Sequence, residues 1–111
     1  MNDVLSKLAS ILEQRKSASS AESYVASLHE KGLNKILEKI GEEATETILA
    51  AKDCSDADEN SRAAVVKETA DLWFHTMVML SHLQLEPDQV LEELQKRFNM
   101  SGLEEKASRQ N

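Results

Sequence analysis

Residues 33–52 read LNKILEKIGEEATETILAAK, and residues 61–83 read SRAAVVKETADLWFHTMVMLSHL. In the first segment apolar residues recur every three or four positions, which is the pattern of an amphipathic helix. The second segment carries apolar residues around almost its whole circumference. Between them lies a polar stretch, residues 53–60. These two segments predict a pair of long helices joined by a short linker.

The flanking sequence is also helical in pattern. Apolar spacing predicts a first helix over Val4–Leu12, and a short helix follows over residues 23–30, ended by Gly32. Pro87 suits a first helical position and opens a further helix, while residues 101–104 match a capping box that leads into a final turn. With only 3 Gly and 1 Pro in 111 residues, the chain is predicted to be one all-α domain over residues 1–111.

Composition excludes several classes of function. A net charge of −7 argues against general electrostatic binding to nucleic acid. Cys54 is the single cysteine, so no internal disulfide can form. The most apolar stretch, Leu72–Leu85, is about 14 residues long, too short to span a bilayer. Residues 1–5 lack the features of a signal peptide. We therefore expect a cytoplasmic protein without membrane or nucleic-acid partners.

The second long helix is apolar on more faces than one neighbour can cover. Val65, Leu72 and Leu80 belong to its main stripe, whereas Met77 and Val78 fall on other faces, together with Phe74. Such a helix is normally buried on several sides. A chain of 111 residues has few elements to supply that cover. We therefore expect the helical bundle to be completed by a two-fold homodimer.

Carboxylates form a matched pattern on the two long helices. The first helix carries Glu42 and Glu43 followed by Glu46, and the second carries Glu68 and Asp71. If the helices form an antiparallel hairpin centred near residue 57, Glu43 lies opposite Asp71 and Glu46 lies opposite Glu68. Residues three apart are neighbours on a helix surface. All four carboxylates are therefore predicted to meet at one level of the hairpin.

Four facing carboxylates repel one another unless a cation neutralises them. A site made only of oxygen atoms selects a hard cation such as Mg²⁺, with Mn²⁺ as a possible substitute. The predicted ligands are Glu43, Glu46, Glu68 and Asp71. The competing interpretation is an ordinary solvated acidic helix face, which the matching level and helical phase of the two pairs disfavour. Since Mg²⁺ commonly meets substrate phosphates, the pattern indicates a phosphate-handling enzyme.

Other charged and histidine side chains near this pattern have two interpretations each. Lys39 and Lys35 lie one and two turns before Glu43, either as ion-pair partners of nearby carboxylates or as phosphate contacts. His75 and His82 fall on the same flank as Glu68 and Asp71. Two imidazoles beside carboxylates are more often packing or supporting groups than metal ligands.

Three stretches together resemble a known family. They are Ser23-Tyr24 followed by KILEKIGEEATE at 35–46, then Glu68-x-Ala70-Asp71-Leu72-x-x-His75, and finally Arg97 with SGLEEKASR at 101–109. They resemble the phosphoribosyl-ATP pyrophosphohydrolases of histidine biosynthesis. The carboxylate pattern alone is similar to that of the wider MazG-like group of all-α nucleotide pyrophosphohydrolases. The likeness runs from about residue 5 to residue 109.

The resemblance implies Mg²⁺-dependent hydrolysis of phosphoribosyl-ATP to phosphoribosyl-AMP and pyrophosphate. It implies that the four predicted ligands hold the metal and that Glu42 or Glu46 is the catalytic base. The cations and hydroxyl in matching motifs are then expected to bind substrate: Lys35, Lys39, Arg97, Ser101, Lys106 and Arg109. Two alternatives remain open at this point, a MazG-like hydrolase of another nucleotide and a non-catalytic helical interaction module.

Overall fold

All regular secondary structure in the computed structural model, which describes residues 3–98, is helical. The helices are α1 (Asp3–Arg15), α2 (Tyr24–Lys31), α3 (Leu33–Lys52), α4 (Glu59–His82) and α5 (Pro87–Phe98). No strand occurs in this described range. The all-α prediction is confirmed. The predicted capping box at residues 101–104 lies outside the described residues.

The two longest helices, α3 and α4, form the antiparallel hairpin that the sequence predicts, and they share the most extensive contact in the fold. The helix α3 has the predicted bounds. The helix α4 begins at Glu59, two residues earlier than predicted, because the carboxylate of Asp58 caps it by accepting from the backbone N–H of Asn60 at 3.0 Å. The connecting segment is therefore residues 53–58.

The short helix α2 has well-defined ends. The hydroxyl oxygen of Ser23 accepts from the backbone N–H of Ala26 at 3.2 Å, which satisfies one of the free donors at the helix start. At the other end Gly32 adopts φ +98° and ψ 176°, and its N–H donates to the carbonyl of Leu28 at 3.0 Å. This backbone conformation is open almost only to glycine. Gly32 thus turns the chain sharply from α2 into α3.

The hydrophobic core lies at the end of the hairpin remote from the connecting segment, where α1 and α2 pack on it. Its buried members are Leu12, Val25, Leu28, Ile36, Met77, Val78 and Leu80. The expectation that Met77 and Val78 face a partner is corrected here, because they are 6% and 0% exposed within one chain. Phe74 also packs against this core. The helices α1 and α2 cover these residues of α4, which the sequence pattern alone did not predict.

Much apolar surface nevertheless stays open. Val66 and Trp73 of α4 are 70% and 60% exposed, and apart from Pro87 the helix α5 is exposed along its length. The radius of gyration is 17.3 Å, against about 13 Å for a compact domain of about 100 residues. Within residues 3–98, none of the helices combines the length and apolar character that a transmembrane span requires.

Candidate metal centre

A hydrogen bond between α3 and α4 fixes their relative position at the site. The hydroxyl of Thr47 on α3 lies 2.8 Å from the carbonyl oxygen of Glu43 in its own helix and 3.1 Å from the carbonyl oxygen of Glu68 in α4. A hydroxyl donates one hydrogen, so the two carbonyls share it. Thr47 therefore joins the two backbones at the level of the carboxylates, a role that the sequence did not reveal.

Three carboxylates converge at this level. Glu43, Glu68 and Asp71 each offer an oxygen atom within 4.8 Å of the others. Glu43 is buried and the other two are half-buried. Oε2 of Glu43 and Oε1 of Glu68 are buried without any hydrogen-bond partner. Because a buried unpaired anionic oxygen is strongly unfavourable, these atoms mark a place where a positive ligand would be stabilised.

The pKa shifts at the cluster also indicate uncompensated negative charge. Burial raises the pKa of Glu68 above its ordinary value of 4.5, and the neighbouring carboxyl groups of Glu46 and Asp71 raise it further. Lys67, one turn before Asp71 on α4, pairs with it at 3.5 Å. The charges of Asp71 and then Glu68 raise the pKa of Lys67. One exposed lysine thus offsets only part of the negative charge.

The residues present fit a divalent cation. The donors are all carboxylate oxygens, which is the set preferred by hard cations such as Mg²⁺ and Mn²⁺. The cluster leaves room for water and substrate oxygens because Asp71 and Glu68 are half-buried rather than enclosed. The site is therefore an acidic centre able to bind a metal beside a substrate.

Glu46 and Glu42 differ in their relation to this cluster. The exposed carboxyl of Glu46 lies beside Glu68 but outside the group of three. The exposed carboxylate of Glu42 instead accepts from Lys39 at 3.2 Å, and this bond is the largest cause of the raised pKa of Lys39. The structure therefore brings Glu46 to the edge of the centre and leaves Glu42 on the neighbouring surface.

The other residues predicted to contact substrate do not all lie near the carboxylate cluster. Lys35 pairs with Glu38 at 3.1 Å, one turn before Lys39 on α3. Arg97 pairs with Glu93 at 2.8 Å on α5, and α5 packs chiefly on α1 rather than on the hairpin face that carries the carboxylates. Ser101, Lys106 and Arg109 lie outside the described residues.

The two histidines of the sequence pattern behave differently. His75 is buried, and its ring lies within hydrogen-bond distance of the Asp71 carbonyl (Nδ1, 2.9 Å) and of the Tyr24 hydroxyl (Nε2, 2.8 Å). His82 instead contacts His29, with 2.9 Å between their Nδ1 atoms. His75 thus holds the backbone of Asp71 from the buried side of the centre. In the sequence, its spacing of four residues from Asp71 was the signal that indicated this contact. Tyr24 comes from α2 and could not be placed by spacing.

Comparison with known protein families agrees with this geometry. A family model described as phosphoribosyl-ATP pyrophosphohydrolase matches residues 5–98. The match includes the acidic cluster, the helices α2 to α5 and all but the first two residues of α1. The match thus spans most of the 111 residues of the chain. The all-helical architecture of the chain is that of the MazG-like fold. This chain belongs to the phosphoribosyl-ATP pyrophosphohydrolase family, and it is a hydrolase.

Proposed function

We propose that this protein hydrolyses phosphoribosyl-ATP to phosphoribosyl-AMP and pyrophosphate, the second step of histidine biosynthesis. The observation that carries the proposal is the cluster of Glu43, Glu68 and Asp71, with two buried carboxylate oxygens that lack hydrogen-bond partners. This cluster lies within a chain that matches the family model. Hydrolysis of a phosphoric anhydride is the chemistry for which such a centre is suited.

The proposed cofactor is Mg²⁺, held by Glu43, Glu68 and Asp71, with Glu46 at the rim and Mn²⁺ as a substitute. Bound Mg²⁺ supplies charge neutralisation at the phosphate oxygens and at the departing pyrophosphate. Glu46 is the better candidate for the general base, because it lies beside Glu68 at the edge of the cluster, whereas Glu42 lies on the neighbouring surface. Its carboxylate accepts a proton from water as the water oxygen bonds to phosphorus and the anhydride P–O bond breaks.

The substrate phosphates also need cations from the protein. Lys35 and Lys39 line the α3 surface next to the centre, and both take part only in exposed ion pairs. Exposed pairs of this kind contribute little stability, so either lysine is free to exchange its carboxylate for a phosphate. The family resemblance adds Arg97, Ser101, Lys106 and Arg109 to the proposed contacts.

We further propose that the active form is a homodimer. At 100° per residue, Leu37, Gly41 and Ile48 share one stripe of α3, roughly opposite Glu46. Within residues 3–98, a methyl group added at Gly41 would meet nothing within 4 Å beyond its own stretch of helix. On α4, Val66 and Trp73 are similarly exposed and turned away from Asp71. A second copy of the chain could cover these stripes and leave the carboxylates accessible.

An apolar groove continues this surface. It encloses about 430 Å³ and is lined by residues that include Leu72, Trp73, Val90, Leu91 and Leu94. Grooves lined by exposed apolar side chains are places where other molecules commonly bind. The groove therefore supports the homodimer as its occupant.

A substrate panel tests the proposed reaction. The full chain is incubated with Mg²⁺ and phosphoribosyl-ATP, ATP or deoxynucleoside triphosphates, and the products are identified by mass spectrometry. We expect phosphoribosyl-AMP and pyrophosphate in equal amounts, with much slower turnover of the other nucleotides. Faster hydrolysis of a deoxynucleoside triphosphate would instead identify a MazG-like enzyme with another substrate. No hydrolysis of any member would favour the interaction module.

A further inference from the structure

Tyr24, the first residue of α2, has an environment unlike that of a core tyrosine. It is the only tyrosine in the chain. Its ring stacks on Phe74 with centroids 6.3 Å apart and 19° between the planes, and it meets His75 edge-on at 5.8 Å. Yet half of its surface, 50%, stays exposed. The ring is therefore supported from behind while a large part of it faces outward.

Hydrogen bonds fix the orientation of this ring. The carbonyl of Asp71 can only accept, so Nδ1 of the buried His75 carries the hydrogen and donates across 2.9 Å. Nε2 then holds a lone pair, and the Tyr24 hydroxyl donates to it across 2.8 Å. The chain of bonds runs from the backbone of a carboxylate in the centre to the hydroxyl of Tyr24. These hydrogen bonds fix the position of the Tyr24 ring beside the carboxylate cluster.

Tyr24 lies one helical turn from the carboxylates. Its hydroxyl partner His75 is four residues after Asp71, a rise of about 6 Å along α4. On α3 the neighbouring side chain is Lys39, whose raised pKa is due first to Glu42 and next to Tyr24. Lys39 is four residues before Glu43. Tyr24 and Lys39 thus occupy the same level, immediately beyond the carboxylate cluster.

The other end of the cluster offers no comparable surface. Toward the connecting segment the next residues are Thr47 and Ala50 on α3, and Ala64 and Val65 on α4. In the described part of the chain, the strongly exposed aromatic ring on the hairpin itself is that of Trp73, which lies on the opposite flank of α4. A planar group on a ligand seated at the carboxylates therefore has one aromatic surface within reach.

We propose that the exposed face of Tyr24 is the stacking surface for the purine base of the substrate, which makes it a specificity-determining residue. The proposal rests on the function proposed above, since it assumes that the phosphates occupy the carboxylate cluster. A nucleotide bound in that way places its base one sugar away from the phosphates. Stacking on an aromatic ring favours purines through their large planar surface, and the fixed ring loses little freedom when the base arrives.

Proton NMR tests the contact directly, because a single tyrosine gives ring resonances that need no assignment by mutagenesis. The full chain with Mg²⁺ is titrated with phosphoribosyl-AMP and, separately, with pyrophosphate, which has no base. We expect the Tyr24 ring resonances to move upfield with phosphoribosyl-AMP and to stay in place with pyrophosphate. Unmoved resonances at saturating phosphoribosyl-AMP would overturn the proposal.

Kinetics provide the second test. Tyr24→Leu should raise KM for phosphoribosyl-ATP by about tenfold, in line with the loss of one base–aromatic stack, and change kcat and inhibition by pyrophosphate little. Tyr24→Phe keeps the ring and should recover most of the lost affinity. Ile11→Ala, which removes a side chain of similar exposure from α1, is the control. Equal weakening of substrate and pyrophosphate in both Tyr24 variants would mean that the residue is only structural.

These outcomes are separable from failure of the proposed function. If the wild-type chain does not hydrolyse phosphoribosyl-ATP, the proposed function is wrong whatever the ring resonances do. If it hydrolyses phosphoribosyl-ATP with a KM that Tyr24→Leu leaves unchanged, only the stacking proposal is wrong.

Discussion

Glu43 keeps only 8% of its surface exposed, yet one of its carboxylate oxygens has no hydrogen-bond partner. Together with Glu68 and Asp71 it forms a centre whose like charges repel. The sequence predicted these residues because helix spacing and hairpin geometry are regular. It could not place Tyr24, whose position depends on how α2 docks, or show that Glu46 lies outside the group of three.

The raised pKa of Glu68 gives the metal-free chain a defined pH dependence. The folded chain holds a proton there that the unfolded chain releases, so stability falls as pH rises from 4.5 through the raised value. Glu68→Gln should reduce this fall and raise the melting temperature at pH 7 in EDTA. Thermal melts between pH 4 and pH 8 check this. An unchanged pH profile in the variant would mean that Glu68 is not the group responsible.

At the scale of elements, local signals determined most of the helix bounds. Ser23, Gly32 and Pro87 stand at helix ends where their conformational preferences predict them. The start of α4 was predicted two residues late, because an apolar pattern carries no information about a polar N-cap residue such as Asp58. The contact between α1, α2 and the hairpin was not predicted, since it depends on tertiary packing rather than on periodicity.

Gly32→Ala should destabilise the fold. The φ of +98° and ψ of 176° at this position belong to a region that side chains with a Cβ rarely occupy, and the strain is about 1–3 kcal/mol. Urea unfolding followed by circular dichroism measures the change in free energy of unfolding. A loss below about 0.5 kcal/mol would show that the turn between α2 and α3 tolerates another conformation.

His29, which contacts His82, should make the docking of α2 on α4 sensitive to acid. Burial lowers the pKa of His29 below 6.5, and the neighbouring His82 and Lys16 lower it further, while Glu13 opposes them. The folded chain therefore releases a proton that the unfolded chain retains. Its stability is full above pH 6.5 and is lost as pH falls below that value.

Hydrogen exchange at the α2 amides checks this directly. Protection should weaken from pH 7 to pH 5.5, after correction for intrinsic exchange rates. His29→Phe keeps a ring for the stack on His82, whose centroid lies 5.2 Å away, but removes the group whose pKa is lowered. The variant should show a smaller pH dependence. An equal dependence in the variant and the wild type would place the acid sensitivity elsewhere.

The whole molecule exposes more apolar surface than its own helices cover. The sequence predicted that α4 needs a further neighbour, but it could not tell which apolar residues the chain itself buries. Met77 and Val78 belong to the internal core, whereas Val66 and Trp73 lie open. The proposed homodimer therefore concerns a different part of α4 from the one that the sequence pattern suggested.

Trp73→Asp should dissociate the proposed dimer without unfolding the chain, because Trp73 is 60% exposed in the single chain. Light scattering at micromolar concentration should give twice the chain mass for the wild type and the chain mass for the variant. Val78→Asp is the contrasting change, since it introduces an unpaired charge at a position with 0% exposure and should unfold the protein. A monodisperse wild-type monomer would contradict the proposed dimer.

The most direct test of the metal centre is the initial rate of pyrophosphate release from phosphoribosyl-ATP, with Mg²⁺ or with EDTA. We predict that the wild-type chain is active only with Mg²⁺ and that Asp71→Asn lowers its rate by at least about 100-fold while the helical circular dichroism spectrum is retained. Glu59→Gln removes a carboxylate from the start of the same helix and should leave the rate unchanged. Near-normal Mg²⁺-dependent activity in Asp71→Asn, or full activity of the wild type in EDTA, would contradict the proposed centre.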